Sequence, residues 1–478
     1  MIQSERVVQR TRSLRDLYEV TERQDNLTLF YLFSDCEPVS FQEAVQEKNW
    51  RDAMDEEIKA IEKNETWELT SLPKGHKAIG VKWVYKTKQN AKGEIERYKA
   101  RLVAKCYSQK AGIDYDEVFA LSAFLNGVLE EEVYIQQPSG YEFKGHEDKV
   151  LKLKKALYGL KQAPRAWNSR IDKYFQENGF NKCPYEHALY IKIKDGDILI
   201  VCLYVDDFIF IGSNPSMFNE FKEVMTKEFE MTDMGHMTYY LGIEVQQQKH
   251  GIFISQESYA KEILKKFKME NCKPIRTPTE YGIKMSKHEE GKRVDPTFFK
   301  SLVGSLRYLT CTRPDILHAV GLVSWYMESP TTTHFKAAKR ILRYLKGTID
   351  FGLFYSVSND YKLVGYSDSD WGGDIDNRRI TTGFVFFMGD TAFTWMSKKQ
   401  PIVTLSTCEA EYVAATSCVC HAIWLRNLLK EIGLIQEEPT KVCVYGCCNF
   451  GLIYLCGVGL FASSINTPPH FGLGIKKN

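Results

Sequence analysis

A long hydrophobic stretch near the middle of the chain is interrupted by two adjacent acidic residues. Residues 198–205 are all hydrophobic, Asp206 and Asp207 follow, and residues 208–211 are hydrophobic again before Gly212. The pattern predicts two β-strands that are covered on both faces and joined by a tight turn. Adjacent like charges cost free energy unless a cation compensates them, and Mg²⁺ is a suitable cation for carboxylates. The alternative is an ordinary Asp-Asp turn without a metal.

Alternation of hydrophobic and basic residues predicts a β-hairpin at 79–103, with its turn at 90–93. The hydrophobic positions of the two strands are Val81, Trp83, Tyr85, Tyr98, Ala100 and Leu102. The positions between them carry the cations Lys82, Lys86, Lys88, Arg97, Lys99 and Arg101. Because side chains alternate between the faces of a strand, we expect a cluster of cations if the two basic faces lie on the same side. A solvated hairpin surface is the alternative, although such a surface normally mixes both charges.

Hydrophobic residues that recur at helical spacing predict two helices in the first half of the chain. The first covers 41–63 and begins with a capping-box pattern of Ser40 and Glu43. The second lies within 157–178 and has a hydrophobic stripe of Trp167, Ile171, Tyr174 and Phe175. Its start carries the polar and cyclic residues Lys161, Gln162, Pro164 and Arg165. A helix N-terminus with flanking cations suits a phosphate, whereas an ordinary helix that begins at proline is an equally good explanation.

The segment 214–350 is predicted to be mostly helical, apart from a strand pair near 237–255. Within it, the helix at 333–346 has a basic outer side that consists of Lys339, Arg340, Arg343 and Lys346. Such a basic face suits a phosphate backbone, but more often it is a solvated surface.

Residues 361–433 are predicted to form a separate α/β unit. A first strand near Leu363–Ser367 ends at Asp368 and Asp370, and a hairpin turns at 389–390. A helix then begins after a second capping-box pattern at 406–409. Glu411 lies near the start of that helix. An Asp that leaves a first strand and a Glu on the following helix suit one shared metal ion.

The composition limits the class of protein. At roughly 100–200 residues per domain, the 478 residues predict about three domains. The chain is 44% hydrophobic, which allows a large core and argues against a disordered protein. Its 63 Lys+Arg and 61 Asp+Glu give a net charge of +2, so a nucleic-acid binder would carry its basic surface in local patches. The 13 scattered cysteines are typical of reduced intracellular thiols, and no hydrophobic run approaches the roughly 20 residues of a membrane span.

Several motifs follow one another in an order that is specific to one family. In the first part of the chain they are WELTSLPKGHKAIGVKWVYKTK, ERYKARLVAKCYSQKAGIDYDEVFA, SAFLNGVLEEEVYIQQPSGY, ALYGLKQAPRAWN, LYVDDFIFIGSN and YYLGIEV. In the second part they are SLVGSLRYLTCTRPDI, GYSDSDWGGD and TTGFVFFMGDTAFTWMSKKQPIVTLSTCEAEYVAA. Together they resemble the reverse transcriptase, connecting region and ribonuclease H of copia-type LTR retrotransposon Pol polyproteins from plants. The resemblance covers about residues 37–444, and we expect the chain to be a C-terminal portion of such a polyprotein.

The resemblance implies an α+β fold, with a palm, fingers and thumb reverse transcriptase followed by a truncated ribonuclease H-like α/β domain. The implied activity is RNA-directed DNA polymerisation combined with ribonuclease H. The implied segments are a linker remnant at 1–38, fingers and palm at 39–270, a helical thumb or connection at 271–360, an incomplete ribonuclease H-like unit at 361–441 and a divergent or frameshifted tail at 442–478.

The resemblance also implies functional residues and partners. Four carboxylates are implied to be catalytic and to bind Mg²⁺ or Mn²⁺, namely Asp206, Asp207, Asp368 and Glu411. Nucleotide or template binding is implied for Lys86, Lys99, Arg101, Lys161, Gln162 and Arg165. The expected partners are an RNA template, a DNA primer, an RNA–DNA hybrid and dNTPs, without a membrane. The expected location is intracellular, in cytoplasmic virus-like particles or the nucleus.

One departure from the family pattern concerns the polymerase site. The family takes a further carboxylate from a strand just before its SAFLNG segment, in the pattern LDVKSAFLNG. Here residues 118–120 run directly into Leu121, and no acid lies between Glu117 and Glu130. We therefore predict a deletion near 120/121 that removes a helix and the Asp-bearing strand together. Neighbouring residues of a strand point to opposite faces, so adjacent aspartates alone would not chelate two metals on one side.

A second departure concerns the ribonuclease H-like unit. Family members continue after a PTK motif into a strand that ends Val-Asp-Asn, whereas residues 439–444 are followed here by Tyr445 and Gly446. The last acid of the chain is Glu438. Three hypotheses therefore stay open: an active polymerase, a module that binds RNA–DNA duplex without turnover, and a remnant that does not fold stably. The two departures favour the second and third hypotheses over the first.

Overall fold

The structure, a computed structural model, describes most of the chain in two compact units. The described residues are 38, 40–89, 95–105, 127–205, 207–229, 231–288, 291–357, 361–370, 376–445, 450–456, 459–465 and 475–477. Most of the linker predicted at 1–38, the turn at 90–93, the deletion near 120/121 and Asp206 lie outside these ranges. The first unit ends at Asp233 and the second begins at Met234. Within the described ranges, no helix is both long and apolar enough to cross a membrane.

The prediction of one continuous helix at 41–63 is wrong, because the structure has two helices in this range. The two helices are α1 (Phe41–Ala44) and α2 (Lys48–Lys63). At the start of α1 the hydroxyl of Ser40 accepts a hydrogen bond from the N–H of Glu43 (3.3 Å), as the capping pattern predicted. The division has a local cause. Arg51 donates to the carbonyl of Val45 (2.6 Å), an acceptor that a continuous helix would offer to the N–H four residues later.

A three-stranded sheet and a separate hairpin follow α2. Their strands are β1 (Trp67–Thr70), β2 (Val81–Gln89), β3 (Ile95–Ala104), β4 (Val128–Ile135) and β5 (Val150–Lys155). The sheet has the order β1–β5–β4, and β2 pairs with β3 in the hairpin. Leu102, Ile135 and Leu151 are fully buried in the core that these strands share.

A four-stranded sheet in the first unit carries the acidic pair of the sequence. Its strands pair in chain order and are β6 (Asn181–Lys182), β7 (Leu189–Lys194), β8 (Asp197–Tyr204) and β9 (Asp207–Gly212). Helices α3 (Ala163–Glu177) and α4 (Pro215–Phe229) cover one face. The core on that face is aromatic, because the fully buried Phe175 packs its ring against Phe180, Tyr190 and Phe221.

The prediction that β8 and β9 are covered on both faces is wrong for the described residues. Leu199, Val201 and Leu203 are buried on the face that meets the helices. On the opposite face, Ile211 is 65% exposed. Buried and exposed side chains therefore alternate along these strands in the ordinary way. The sequence does not show this alternation, because the exposed positions are hydrophobic as well.

The second unit begins with a sheet of five strands and a group of helices. The strands pair in the order β10 (Tyr239–Tyr240), β11 (Ile243–Gln248), β12 (Gly251–Ser255), β13 (Phe351–Ser356) and β20 (Ile475–Lys477). The helices are α5 (Glu257–Lys266), α6 (Pro296–Leu309), α7 (Leu317–Ser324) and α8 (Thr332–Lys346). The predicted strand pair near 237–255 and the helical character of this region are confirmed. On the basic side of α8, Arg340 pairs with Glu280 (2.8 Å) and Arg343 donates to the Lys273 carbonyl (2.8 Å).

A six-stranded sheet with one long helix completes the second unit. Its strands, in spatial order, are β16 (Thr391–Lys399), β15 (Thr381–Met388), β14 (Leu363–Asp370), β17 (Thr440–Tyr445), β18 (Phe450–Cys456) and β19 (Gly459–Ile465). Within the described part of this sheet, β14 and β17 pair in parallel and the other neighbouring strands pair antiparallel. Helix α9 (Thr407–Glu431) packs on this sheet, and Ser406 accepts from the N–H of Glu409 (3.2 Å), so the predicted strand, hairpin and capped helix are confirmed.

The segment after residue 441 extends this sheet, although its sequence shows no clear period. Val442 and Cys443 are adjacent in β17 and both are buried, one on each face of the strand. A strand that is covered on both faces loses the alternation by which strands are recognised in a sequence. The tail therefore supplies strands that the sequence pattern did not predict.

Candidate functional site

The aspartate hairpin, which we define as β8 and β9 (Asp197–Gly212), presents Asp207 at its tip. Tyr204 pairs with Asp207 across the hairpin, which leaves a two-residue loop. Asp207 is exposed and lies on the face of β9 opposite to Phe208 and Phe210, which pack against the helices. Asp206, the second residue of the loop, is outside the described residues.

The loop of the aspartate hairpin is held by a tryptophan. Val205 has φ of +58°, a left-handed conformation that is uncommon for a β-branched residue and costs about 1–3 kcal/mol. The indole N–H of Trp167 on α3 donates to the carbonyl of Val205 (2.6 Å). Trp167 is itself buried and packs edge-on against Phe229 (5.5 Å between ring centroids). The buried side chain of Trp167 therefore stabilises the strained backbone next to the acidic pair.

The basic hairpin, defined as β2 and β3, has its cations on one face. Lys86 pairs directly with Lys99, and Arg101 lies two residues further along β3, opposite Val84. Residues directly opposite each other in an antiparallel pair share a face. The cation cluster that the sequence predicted is therefore confirmed. Lys86 is exposed and Lys99 and Arg101 are half-buried, so the cluster reaches from the surface into the protein.

Arg101 stacks on the loop that leads into α3. Its guanidinium carbon lies 4.7 Å from the ring centroid of Tyr158, and its Nε has no hydrogen-bond partner within the described residues. The loop approaches β3 closely at the next residue, Gly159, which has φ of +87°. A Cβ at this position would lie 2.4 Å from the carbonyl oxygen of Ala104, so only glycine allows the contact. The sequence did not predict this contact between Arg101 and Tyr158.

A carboxylate from α2 lies at the inner end of the cation cluster. Glu57 is half-buried and accepts a hydrogen bond from the N–H of Leu102 (3.2 Å) at the outer edge of β3. Burial raises the pKa of the Glu57 carboxyl, and the Leu102 N–H, Arg101 and Lys99 only partly offset this. Burial therefore disfavours the charged form of Glu57 more strongly than Leu102, Arg101 and Lys99 stabilise that form.

We expect Glu57→Gln to stabilise the folded chain slightly at neutral pH. The pKa of Glu57 is raised above 4.5 in the folded chain, so its carboxyl favours folding below pH 4.5 and loses that contribution as the pH rises through the folded value. Glutamine keeps an acceptor for Leu102 and carries no charge that burial opposes. We expect a gain of about 1 kcal/mol or less at neutral pH, because the neighbouring cations offset part of the burial. Thermal unfolding of the two chains, compared at neutral and acidic pH, measures the gain.

Glu62→Gln is the matched control, because Glu62 is an exposed carboxylate on the same helix α2. It changes the net charge equally without changing the edge of β3. Equal thermal stability of the Glu57→Gln variant and the unmodified chain at neutral pH would contradict the prediction.

The start of α3 holds the other residues predicted to bind nucleotide. Gln162 is the N-cap residue of α3 and is fully buried, and Lys161 before it is half-buried. Arg165 is half-buried and forms an ion pair with Glu131 on β4. Gly127, at the start of β4, lies against the same turn of α3, since a Cβ there would be 2.6 Å from the backbone nitrogen of Trp167. The predicted binding roles of these residues stay predictions.

Asp368 and Glu411 lie at the same end of the six-stranded sheet. Asp368 is exposed on β14, and Glu411 is half-buried in the second turn of α9. The buried amide of Gln400 donates to the Thr382 hydroxyl (2.9 Å) and to the Ala410 carbonyl (3.0 Å). Thr382 is next to the β15 residue that pairs with Asp368, and Ala410 precedes Glu411. Gln400 therefore ties the start of α9 to the strand that carries the aspartate.

The described residues do not complete a site for a divalent metal. Within the described ranges, no group of three or more His, Cys, Asp or Glu side chains is close enough to hold an ion. Of the predicted metal ligands, these ranges contain Asp207 on the aspartate hairpin, Asp368 on β14 and Glu411 on α9. Beside Asp368, the parallel strand β17 places Tyr445 in register, which is not an oxygen ligand of the carboxylate type. No metal-dependent step follows from this arrangement.

Two positioning residues were missed by reading the sequence, and only one had a signal. Trp167 was assigned to the hydrophobic stripe of α3. The helical spacing of hydrophobic residues gives no sign that the indole N–H of Trp167 reaches the loop of the aspartate hairpin. Glu57 lies among the polar positions of α2, but it directly precedes the buried Ile58. The position of Glu57 next to a buried hydrophobic residue was the signal that its carboxylate is partly buried.

Comparison with known proteins identifies the family. The family described as reverse transcriptase (RNA-dependent DNA polymerase) matches residues 64–122 and 120–281. The retrovirus-related Pol polyprotein from transposon TNT 1-94 of Nicotiana tabacum is 39% identical over an alignment of 465 residues, and the alignment covers 89% of this chain and 35% of that protein. The chain belongs to the family of retrotransposon Pol polyproteins. The resemblance to copia-type Pol polyproteins is confirmed, and so is the α+β class of its reverse transcriptase.

Two further relatives show how much of a Pol polyprotein the chain spans. The Pol polyprotein from transposon RE1 of Arabidopsis thaliana is 37% identical over an alignment of 460 residues, and the alignment covers 90% of this chain and 31% of that protein. The putative transposon Ty5-1 protein of Saccharomyces cerevisiae is 31% identical over 301 residues, or 62% of this chain and 98% of that protein. The chain therefore spans about a third of the plant polyproteins and nearly all of the yeast protein. A foamy viral protease-reverse transcriptase structure with double-stranded DNA aligns at a TM-score of 0.21 and 12% identity, over 83% of this chain and 62% of that one, too low for a fold argument.

Proposed function

We propose that this chain is a reverse transcriptase and ribonuclease H region that binds a primed RNA template, and that this copy is impaired in catalysis. One observation carries the binding half of the proposal. The segment 158–167 joins the two hairpins, because Tyr158 stacks on Arg101 of the basic hairpin and Trp167 bonds the loop of the aspartate hairpin. One segment therefore contacts both the cations that suit phosphates and the hairpin whose carboxylates suit metal ions.

The basic hairpin is the proposed contact with nucleotide and template. Lys86, Lys99 and Arg101 share one face, so a chain with a net charge of only +2 still presents a local positive patch that suits phosphates. Lys161, Gln162 and Arg165 would extend the contact at the start of α3. The proposed ligands are an RNA template, a DNA primer, the RNA–DNA hybrid and dNTPs.

The proposed impairment rests on carboxylates. The polymerase would bind Mg²⁺ or Mn²⁺ through Asp206 and Asp207, but residues 118–129 contain no acid that could add a further ligand. The two segments matched by the family meet at 120–122, which supports a deletion at that position. At the ribonuclease H-like site, Tyr445 stands beside Asp368 where the family pattern has an acid. Neither site then has the ligands that a two-metal displacement requires.

The segment boundaries belong to the same proposal. The fingers and palm would lie within 39–270, the thumb or connection within 271–360 and an incomplete ribonuclease H within 361–441. The location would be a cytoplasmic virus-like particle or the nucleus. A second candidate is an inactive remnant that at most binds RNA–DNA duplex, which the same lack of acid at 118–129 favours.

Primer extension on an RNA template tests the impairment. We expect no extension with Mg²⁺ or Mn²⁺ above that of the Asp206→Asn/Asp207→Asn double variant. A cooperative thermal transition of the same sample establishes that the chain is folded, which a remnant would lack. Extension that the double variant abolishes would contradict the impairment and would mean that another carboxylate completes the metal site.

Duplex binding tests the role of the basic hairpin independently of catalysis. We expect Kd for an RNA–DNA duplex to rise with salt, and Lys86→Gln/Lys99→Gln to lower the slope of log K against log salt by about two, since each phosphate contact contributes about 0.9. Lys59→Gln is the control, because Lys59 is an exposed cation on α2. An unchanged slope in the double variant would remove the hairpin from the binding surface.

A further inference from the structure

The outer face of α9 is uncharged over most of its length. Between Glu409 and Lys430, the exposed residues of this helix are Tyr412, Thr416, Cys420 and Ile423, which we call the α9 stripe. Successive members are four, four and three residues apart, so they lie along one face of the helix. The stripe is partly hydrophobic, because Tyr412 is 76% exposed and Ile423 is 45% exposed. The opposite side of α9 packs in the core of the six-stranded sheet.

A solvated helix face looks different in this chain. The exposed residues of α2 are all charged except Asn49. That composition is typical of a surface that stays in contact with water, because interspersed charges keep it soluble. A continuous exposed face without charges, and with large hydrophobic side chains on it, is typical of a surface that another molecule covers.

Opposite charges stand at the two ends of the α9 stripe. Glu409 lies seven residues before Thr416, and Lys430 lies seven residues after Ile423, so both exposed charges are on the face of the stripe. Exposed hydrophobic residues also flank the helix, since Leu405 precedes it with 90% exposure and Ile435 follows it with 66%. The face is therefore negative at its start, uncharged in the middle and positive at its end. Such a face is complementary to a second copy of itself turned end to end.

We propose that two copies of this chain pair through the α9 stripe, with the two helices antiparallel and related by a twofold axis. If the axis passes between residues 419 and 420, Glu409 of one copy lies level with Lys430 of the other, at both ends of the pair. The same arrangement brings the end of the helix that Leu405 precedes to the end that Ile435 follows. A parallel pair would instead place like charges together at each end, which costs free energy.

The α9 stripe suits a second copy better than a nucleic acid. Phosphates are bound by cations, and the exposed residues of α9 between Glu409 and Lys430 include none. The helix has 25 residues and is about 37 Å long. One pair of helices of this length gives a small interface for a specific complex, so we expect a dissociation constant in the micromolar range. The inference goes beyond the proposed function, because neither hairpin takes part in it.

Sedimentation velocity of the full chain without nucleic acid, over micromolar concentrations, tests the pairing. We expect a monomer–dimer equilibrium whose dissociation constant rises about tenfold or more in Tyr412→Glu and in Ile423→Glu, because a twofold axis places each new charge in the interface twice. Both residues are exposed, so both variants should fold, and thermal unfolding checks this. Tyr281→Glu is the control, because Tyr281 is a fully exposed tyrosine of the same unit outside α9 and should leave the equilibrium unchanged.

A short bismaleimide tests the arrangement of the two helices in the unmodified chain. Cys408 and Cys420 both have exposed side chains on α9. In the antiparallel pair the two Cys420 residues lie next to the axis, whereas the two Cys408 residues are about 34 Å apart along the helices. We therefore expect mass spectrometry to find a Cys420–Cys420 link between copies and no Cys408–Cys408 link. Cys420→Ser should abolish the link.

Each measurement can overturn the inference. A chain that stays monomeric at these concentrations, or a dimer that neither glutamate variant weakens, would exclude the α9 stripe as the interface. A dimer without the Cys420 link, or with a Cys408–Cys408 link, would exclude the antiparallel pair. Neither measurement involves duplex or primer extension, so failure of the pairing leaves the proposed function standing, and failure of the proposed function leaves the pairing standing.

Discussion

Arg313→Met is expected to destabilise the helical part of the second unit by about 3–5 kcal/mol, the usual effect of removing one partner of a buried ion pair. Arg313 is only 2% exposed and binds both carboxylate oxygens of Asp315 (2.9 and 2.8 Å). It also donates to the carbonyl (2.7 Å) and hydroxyl (2.6 Å) of Thr348. The phenol of Tyr344 donates to the same carboxylate (2.8 Å), and burial with Asp315 nearby raises the pKa of Tyr344 to about 12.

Hydrogen exchange of peptides from α6 and α8 measures this loss locally, which suits a chain of two units whose overall unfolding need not be two-state. Arg340→Met is the matched control. Arg340 is half-buried, but its partner Glu280 (2.8 Å) is exposed, so loss of this pair should lower stability by only about 1 kcal/mol. The double variant Arg313→Met/Asp315→Leu should recover much of the lost stability, because it also removes the buried Asp315 carboxylate that Arg313→Met leaves unpaired. Equal effects of Arg313→Met and Arg340→Met would show that burial adds nothing to the pair.

The elements that the sequence predicted are those that have one exposed and one buried face. The basic hairpin and the stripe of α3 were visible because hydrophobic residues recur at period two or 3.6. The sequence did not predict β17, where Val442 and Cys443 are both buried, because such a strand has no period. The break between α1 and α2 was also missed, because it depends on a side-chain bond from Arg51 to the backbone.

The candidate site was predictable to a similar extent and for similar reasons. Charge patterns identified the cations of the basic hairpin and the acidic tip of the aspartate hairpin. They did not show that Arg101 stacks on Tyr158, or that Arg165 is neutralised by Glu131. These contacts join residues far apart in the chain, and a local pattern contains no information on which distant residue becomes a neighbour.

Trp167→Ala is expected to destabilise the sheet of the aspartate hairpin by about 3–5 kcal/mol, as for other buried aromatic residues that are truncated. The indole of Trp167 fills a site against Phe229 and donates to the carbonyl of Val205 (2.6 Å). Its removal leaves both a cavity and an unpaired carbonyl. Hydrogen exchange of peptides from β8, β9 and α4 measures the effect.

Trp167→Phe separates the two roles, because phenylalanine fills most of the site but has no N–H. We expect a loss of about 1–3 kcal/mol, the cost of leaving one buried acceptor unpaired. The loss should be confined to peptides of β8 and β9, because the packing against Phe229 is retained, while α4 should exchange as in the unmodified chain. If β8 and β9 exchange normally in this variant, the left-handed conformation of Val205 is maintained by the hairpin itself. If they exchange faster, the backbone beside the acidic pair depends on a bond from α3, and the geometry of Asp207 is set by the same segment that stacks on the basic hairpin.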